Sequence, residues 1–99
     1  MSTERKIKLI IPELIKWLES GSNVVVDTFK SYQLRNTFDL FIIAINDIRE
    51  LEIIGKNGIS CSLKILDIKD IWVIGDICQI RLKNDKKANI FITKMPIAA

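Results

Sequence analysis

The sequence predicts an α+β fold, mostly β: one short N-terminal helix packed on a five- to seven-stranded antiparallel meander or small open barrel. Three observations predict it. About one residue in five is Ile, which is β-branched, stiff at χ1 and suited to a pleated surface. Short apolar stretches alternate with polar residues and are punctuated by turn residues. Pro12 opens a stretch with helical periodicity. The 99 residues, 48% hydrophobic and 27% charged, make one globular domain spanning 1–99.

Along 5–11, Lys6 and Lys8 alternate with Ile7, Leu9 and Ile11, a period of two that favours a strand or extended arm over residues 1–11. The rival is a continuous helix from Glu4 to Ser20, which places Pro12 in its interior at a cost of about 3 kcal/mol. The preferred helix therefore spans 12–20, with Pro12 first, Glu13 in the first turn and Gly21 as a left-handed cap. An antiparallel meander over 23–74 follows. Residues 23–29 read as a strand, 32–38 as a strand or irregular link, and Phe41–Ile45 as a buried strand.

The best-defined hairpin joins Arg49–Ile53 to Ile59–Ile65. A three-residue loop, Lys56-Asn57-Gly58, puts Gly58 at the left-handed position and pairs Ile53 with Cys61 and Leu51 with Leu63. Residues 75–95 read as an additional basic hairpin and 96–99 as a free tail.

The chain has no His. This removes imidazole acid–base chemistry and the nucleophile pairs built on it, so a non-enzymatic role is expected, with no catalytic residues, metal, cofactor or small-molecule substrate. Cys61 and Cys78 are too few for a Cys-only zinc site and read as reduced core thiols. A Cys61–Cys78 disulfide is the alternative, if the strands around them form a hairpin centred near Lys69. Glu50 and Glu52 share a strand face, and Asp67, Asp70 and Asp76 follow; a solvated surface is the plain reading of all five. No apolar run is long enough to span a bilayer. The expected setting is cytoplasmic, and the Ile, Lys, Asn and Asp bias resembles small proteins of thermophilic archaea or their viruses, whose setting would be the host cytoplasm.

The net charge of +3 is unevenly spread. Residues 77–99 hold five bases, Arg81, Lys83, Lys86, Lys87 and Lys94, against one acid. Such a patch steers toward nucleic acid or serves as a Lys-guarded sheet edge. Aromatic residues at Phe29, Tyr32, Phe38, Phe41 and Phe91, with Trp17 and Trp72, offer base-stacking surfaces wherever the fold leaves them outside.

Two segments carry a family resemblance. Phe38-Asp39-Leu40-Phe41-Ile42-Ile43-Ala44-Ile45-Asn46 resembles the aromatic-Asp, apolar strand and Asn segment of the bacterial Sm-like RNA chaperone. Lys64-Ile65-Leu66-Asp67-Ile68-Lys69-Asp70-Ile71-Trp72-Val73 is similar to the second Sm signature, with Lys64-Ile65 standing where that signature has Arg-Gly. Over residues 12–74 the order of elements resembles Sm-like small β-barrels. The resemblance implies RNA binding through Asp39, Asn46, Lys64 and Asp67, joined by the basic Arg81, Lys83, Lys86 and Lys87, and a homo-oligomer assembled through edge strands. A protein-interaction or assembly module with no nucleic-acid role is the competing expectation.

Overall fold

The computed structural model describes residues 2–84 and 89–96; Lys86, Lys87 and most of the expected tail lie outside them. Its first element corrects the strand expected before Pro12. Thr3–Glu19 form one continuous helix, α1. A strand would have placed Ile7 and Leu9 on the same face, but Ile7 is 0% and Leu9 61% exposed. The pattern that decides is helical: Ile7, Leu14 and Trp17 are buried, with Ile10, Ile11 and Leu18 packed beside them, a spacing of three, four and seven. Burying each of the three contributes about 1.5–3 kcal/mol, together more than the roughly 3 kcal/mol that an interior Pro costs. Lys8, whose carbonyl loses its partner to Pro12, lies with it on the exposed side, where water substitutes. Ser2 caps the helix start by accepting from the Arg5 N–H at 3.2 Å. Gly21, at φ +81°, ends it as expected.

Among the described residues seven strands follow: β1 Val24–Lys30, β2 Gln33–Ile45, β3 Glu50–Gly55, β4 Ser60–Lys64, β5 Ile68–Ile74, β6 Ile77–Leu82 and β7 Ile90–Lys94. All pairings are antiparallel and the order is β4-β3-β2-β1-β7-β6-β5. The expected mostly-β, single-helix class holds; the sheet is not closed into a barrel. Nor is it one meander. Two runs, β1 to β4 and β5 to β7, meet where β7 returns to pair with β1. Within residues 75–95, β6 and β7 do pair as consecutive antiparallel strands, but they are part of the main sheet and carry part of the core, through Cys78, Ile80, Ile90 and Ile92.

The two edges, β4 and β5, are joined by only a 3₁₀ turn, Ile65–Asp67. Laid flat, seven strands would separate the edges by about 29 Å, whereas this link spans about 14 Å at most. The sheet must therefore curl, and its two halves face one another across the core.

β2 makes the curl. Its first half pairs with β1 and its second with β3, and the register shifts between Leu40 and Ile42. Phe41 is the extra residue of this bulge. The shift changes the phase of alternation, so that Phe38 and Leu40 point inward before it and Ile43 after it. The segment 41–45 is consequently not buried throughout, as its composition suggested: Phe41 is 62% and Ile42 42% exposed.

The β3–β4 hairpin has the expected register, Leu51 opposite Leu63 and Ile53 opposite Cys61, with Gly58 at φ +85°. Gly55 is required for a different reason. A Cβ there would lie 2.6 Å from the Phe38 ring, so the hairpin can close against the core only without one.

Because Pro12 is exposed and replaceable, Pro12→Ala is expected to restore one helical hydrogen bond and raise the melting temperature by several degrees, about 4–8 °C per kcal/mol for a domain of this size. A thermal scan followed by circular dichroism measures it, and a lower melting temperature would mean that the ring has a packing role.

Candidate nucleic-acid interface

The residues expected to bind RNA separate into three places. Asn46 and Lys64 share a corner. Asn46 begins the β2–β3 turn, and its side chain organises it: Oδ1 accepts from the Ile48 and Glu50 N–H groups, while Nδ2 donates to Glu50 at 3.1 Å and Glu52 at 2.7 Å. Lys64 lies opposite Glu50 in the β3–β4 ladder. Beside Asn46, Glu50 and Lys64 line an open depression of ≈ 370 Å³ together with Ile48, Arg49, Ile65 and Leu66. Ile48 and Leu66 are 74% and 76% exposed. Arg49, at φ +60°, reaches across to Glu4 of α1 at 2.9 Å.

Asp39 is not part of this corner. It lies seven residues before Asn46, on the other side of the bulge and at most about 23 Å away by strand rise, and its carbonyl accepts from the Lys56 N–H beyond the far end of β3.

Asp67, Arg81 and Lys83 form the third place. The Lys83 N–H donates to the Asp67 carbonyl at 2.8 Å, and Arg81 lies opposite Asp70. The Arg81 Nε is buried and lacks a hydrogen-bond partner among the described residues. The Lys6 ammonium holds Asp70 at 3.0 Å, and this hydrogen bond, with help from the Ile71 N–H and Arg81, keeps the Asp70 carboxyl below its ordinary value. Buried Asn89 ties the region together. Its carbonyl accepts from the Phe29 N–H at 2.6 Å, its N–H donates to the Ile80 carbonyl, and its side chain accepts from the Leu82 N–H. Lys30 and Lys83, the residues that follow Phe29 and Leu82, are thereby brought to the same end of the sheet.

This basic end adjoins an aromatic outer face. The cross-strand row Trp72–Gln79–Phe91–Asp27–Thr37 runs over five strands, on the side opposite Ile71, Cys78, Ile92 and Val26 of the core. Trp72 and Phe91 are half-buried. Phe29, on the strand next to Phe91, meets it edge-to-face with ring centroids 5.6 Å apart, a favoured aromatic geometry. Beyond Phe29 the β1–β2 hairpin projects, with Lys30, Tyr32, Leu34 and Arg35 all exposed. Its turn residues, Ser31 and Tyr32, both have positive φ, 52° and 66°, in the pattern of a type I′ turn but without its usual Asn-Gly. Of the other aromatic candidates, Trp17 and Phe38 belong to the core.

The disulfide alternative for Cys61 and Cys78 is not realised; both are free thiols. The hairpin centred near Lys69 that it required does not form, because β4 pairs with β3 and β5 with β6. Burial, followed by the nearby Glu13 carboxylate, pushes the Cys78 thiol up to about 12, and burial raises Cys61 as well. Both are therefore poor nucleophiles at neutral pH. The described residues contain no group of three or more His, Cys, Asp or Glu able to hold a metal ion, and no described helix is long and apolar enough to cross a membrane.

Comparison with known proteins gave no match to a family model, a curated protein or a solved structure.

The Lys6–Asp70 pair and the strained β1–β2 turn each have a measurable consequence. Asp70 has a depressed folded pKa, so its contribution to stability is fully present above its ordinary value of 3.8 and is lost as the pH falls through the lower folded value. Asp70→Asn should thus destabilise at neutral pH by about 0.5 kcal/mol, as for an exposed pair, and by nothing in strong acid; denaturant unfolding at both pH values tests this. Replacing Ser31-Tyr32 by Asn-Gly should raise stability by about 1–2 kcal/mol, since left-handed backbone costs non-Gly residues roughly that much.

Proposed function

We propose that this chain is a non-enzymatic module that binds RNA or single-stranded nucleic acid on the outer face of β5, β6, β7 and β1. The observation that carries this reading is that the Phe29–Phe91 pair and, two strands from Phe91, Trp72 share one outer face, with Lys30, Arg35, Arg81 and Lys83 gathered at one end of it. Unpaired bases stack on strand aromatics, while a basic margin follows the phosphates. Of the nearby acids, Asp70 is paired with Lys6, while Asp27, which accepts from Thr37 at 2.7 Å, and Asp67 keep their charges. Lys30, Arg35, Arg81 and Lys83 outnumber these two, so positive charge is left over at this end. Asn46 and Lys64 form a separate corner, so the loop set implied by the Sm-like resemblance contributes at most a second, smaller contact.

Assembly through edge strands is the second reading. The open β4 edge favours it, as does the exposed apolar surface at Phe41 and Ile42.

Fluorescence anisotropy with labelled oligo-U and mixed-sequence RNA at low salt tests the first reading. Binding should weaken with added salt, and Lys83→Gln should reduce the slope by about 0.7 for each phosphate that the side chain neutralises. Phe91→Ala should cost about 1–3 kcal/mol of affinity for each base stacked on the ring, with folding verified by circular dichroism. Absence of binding to either RNA at low salt sinks the reading.

A further inference from the structure

The two edges of the sheet are not equivalent. Along β5 the edge is guarded. Lys69 is the extra residue at a register shift between Ile68 and Asp70, and the Ile71 N–H is taken by the Asp70 carboxylate at 2.9 Å. That carboxylate is in turn held by Lys6 of the helix packed against β5. A bulge, a charge at the edge and a covering helix are the usual ways of closing an edge to further pairing.

Along β4 neither a bulge nor a covering helix is present among the described residues, and the single charge, Lys64, stands at the last position of the strand. The hydrogen bonds from Gly55 N–H to the Ile59 carbonyl and from Ile65 N–H to the Arg49 carbonyl fix the phase of the β3–β4 ladder. In that phase Cys61 and Leu63 exchange bonds with β3, while the N–H and C=O groups of Ser60, Ser62 and Lys64 point away from it. All three side chains are exposed, and the strand contains neither Pro nor bulge.

We infer that the partner for this edge is a second copy of the chain, pairing β4 with β4 antiparallel about a twofold axis at Ser62. The inference rests on the edge-strand reading above and specifies its partner and register. A head-to-tail pairing needs β5, which is guarded, whereas an isologous pairing uses the open edge twice and closes. The register is chemically consistent. On the outer face Ser62 meets Ser62 of the other copy, a hydrogen-bonding pair, and each Lys64 meets Ser60, so the like charges are kept apart. On the inner face Cys61 meets Leu63, and both are only half-buried in the single chain, as befits apolar residues at an uncovered edge. Shifting the register to bring Lys64 against Lys64 would oppose two cations instead.

Analytical ultracentrifugation over a concentration series tests the pairing. The chain should sediment at twice its 11.3 kDa mass, and Ser62→Lys should return it to the single mass with its circular dichroism unchanged, because two ammonium groups then face each other across the axis. Under mild oxidation Ser62→Cys should give a dimer cross-linked at position 62. A monomer at every concentration overturns both this pairing and edge-strand assembly as a whole. An oligomer that survives Ser62→Lys and gives no cross-link through Ser62→Cys overturns this pairing and leaves another edge or surface as the contact.

Discussion

One extra residue in one strand sets the shape of the molecule. β2 is long enough to serve two half-sheets, but a strand of strict period two would turn all its inward side chains to one side. The bulge at Phe41 advances the phase by one, so Phe38 and Leu40 enter the core alongside β1, and Ile43 enters it alongside β3. With the phase corrected, Leu51 and Ile53 of β3 join Val26, Ile71, Ile80 and Ile92 in a single buried cluster. Without it, the three strands β2 to β4 would present their apolar side to solvent. The penalty falls on Phe41 and Ile42, since two adjacent residues of the bulge remain outside.

The return of β7 to β1 completes the constraint. It places the last strand inside the sheet, beside the central β1, and leaves as edges two strands that are neighbours in sequence. The Ile65–Asp67 turn must bridge them, and its buried Ile65 anchors that bridge to the core. The helix then closes over the β5 side through buried Ile7, Leu14 and Trp17, while Glu4–Arg49 and Lys6–Asp70 fix its orientation. These ion pairs are exposed and individually weak. The apolar stripe supplies the adhesion and the charges set the alignment.

What can be read from the sequence is what local chemistry decides alone. The β3–β4 register is legible because Gly58 demands a left-handed position and a slip of one residue would expose Ile53 and Leu51. The helix start misleads because Lys6-Ile7-Lys8-Leu9 fits a period of two over four residues; only the longer Ile7–Leu14–Trp17 spacing separates the alternatives, and tertiary burial outweighs the Pro12 penalty. The first half of β2 is obscure because Gln33–Thr37 are all exposed and their strand character comes from β1 alone. The candidate site is less legible still. Trp72, Phe91 and Phe29 lie on β5, β7 and β1, and no sequence spacing announces that β7 pairs with β1. Asp39 and Asn46, adjacent in a motif, are separated by the extension of the strand that carries them.

The strand order also decides how the proposed nucleic-acid binding and the proposed self-pairing would relate. The aromatic face spans β5, β6, β7 and β1, whereas β4 lies three positions from β1 on the other side of β2. A twofold pairing through β4 therefore covers neither Phe91 nor Arg81, and it doubles the number of basic ends presented to one strand of nucleic acid. Under the proposed reading, stacking and phosphate contact each give modest affinity and little sequence preference, and that duplication would be the effective route to tighter binding. The second contact becomes intramolecular, and its gain depends on whether the strand is long enough to span both faces. Affinity would then rise steeply with oligonucleotide length once both copies are engaged, a dependence that the guarded β5 edge makes possible by keeping the paired strands at β4 and the binding face open.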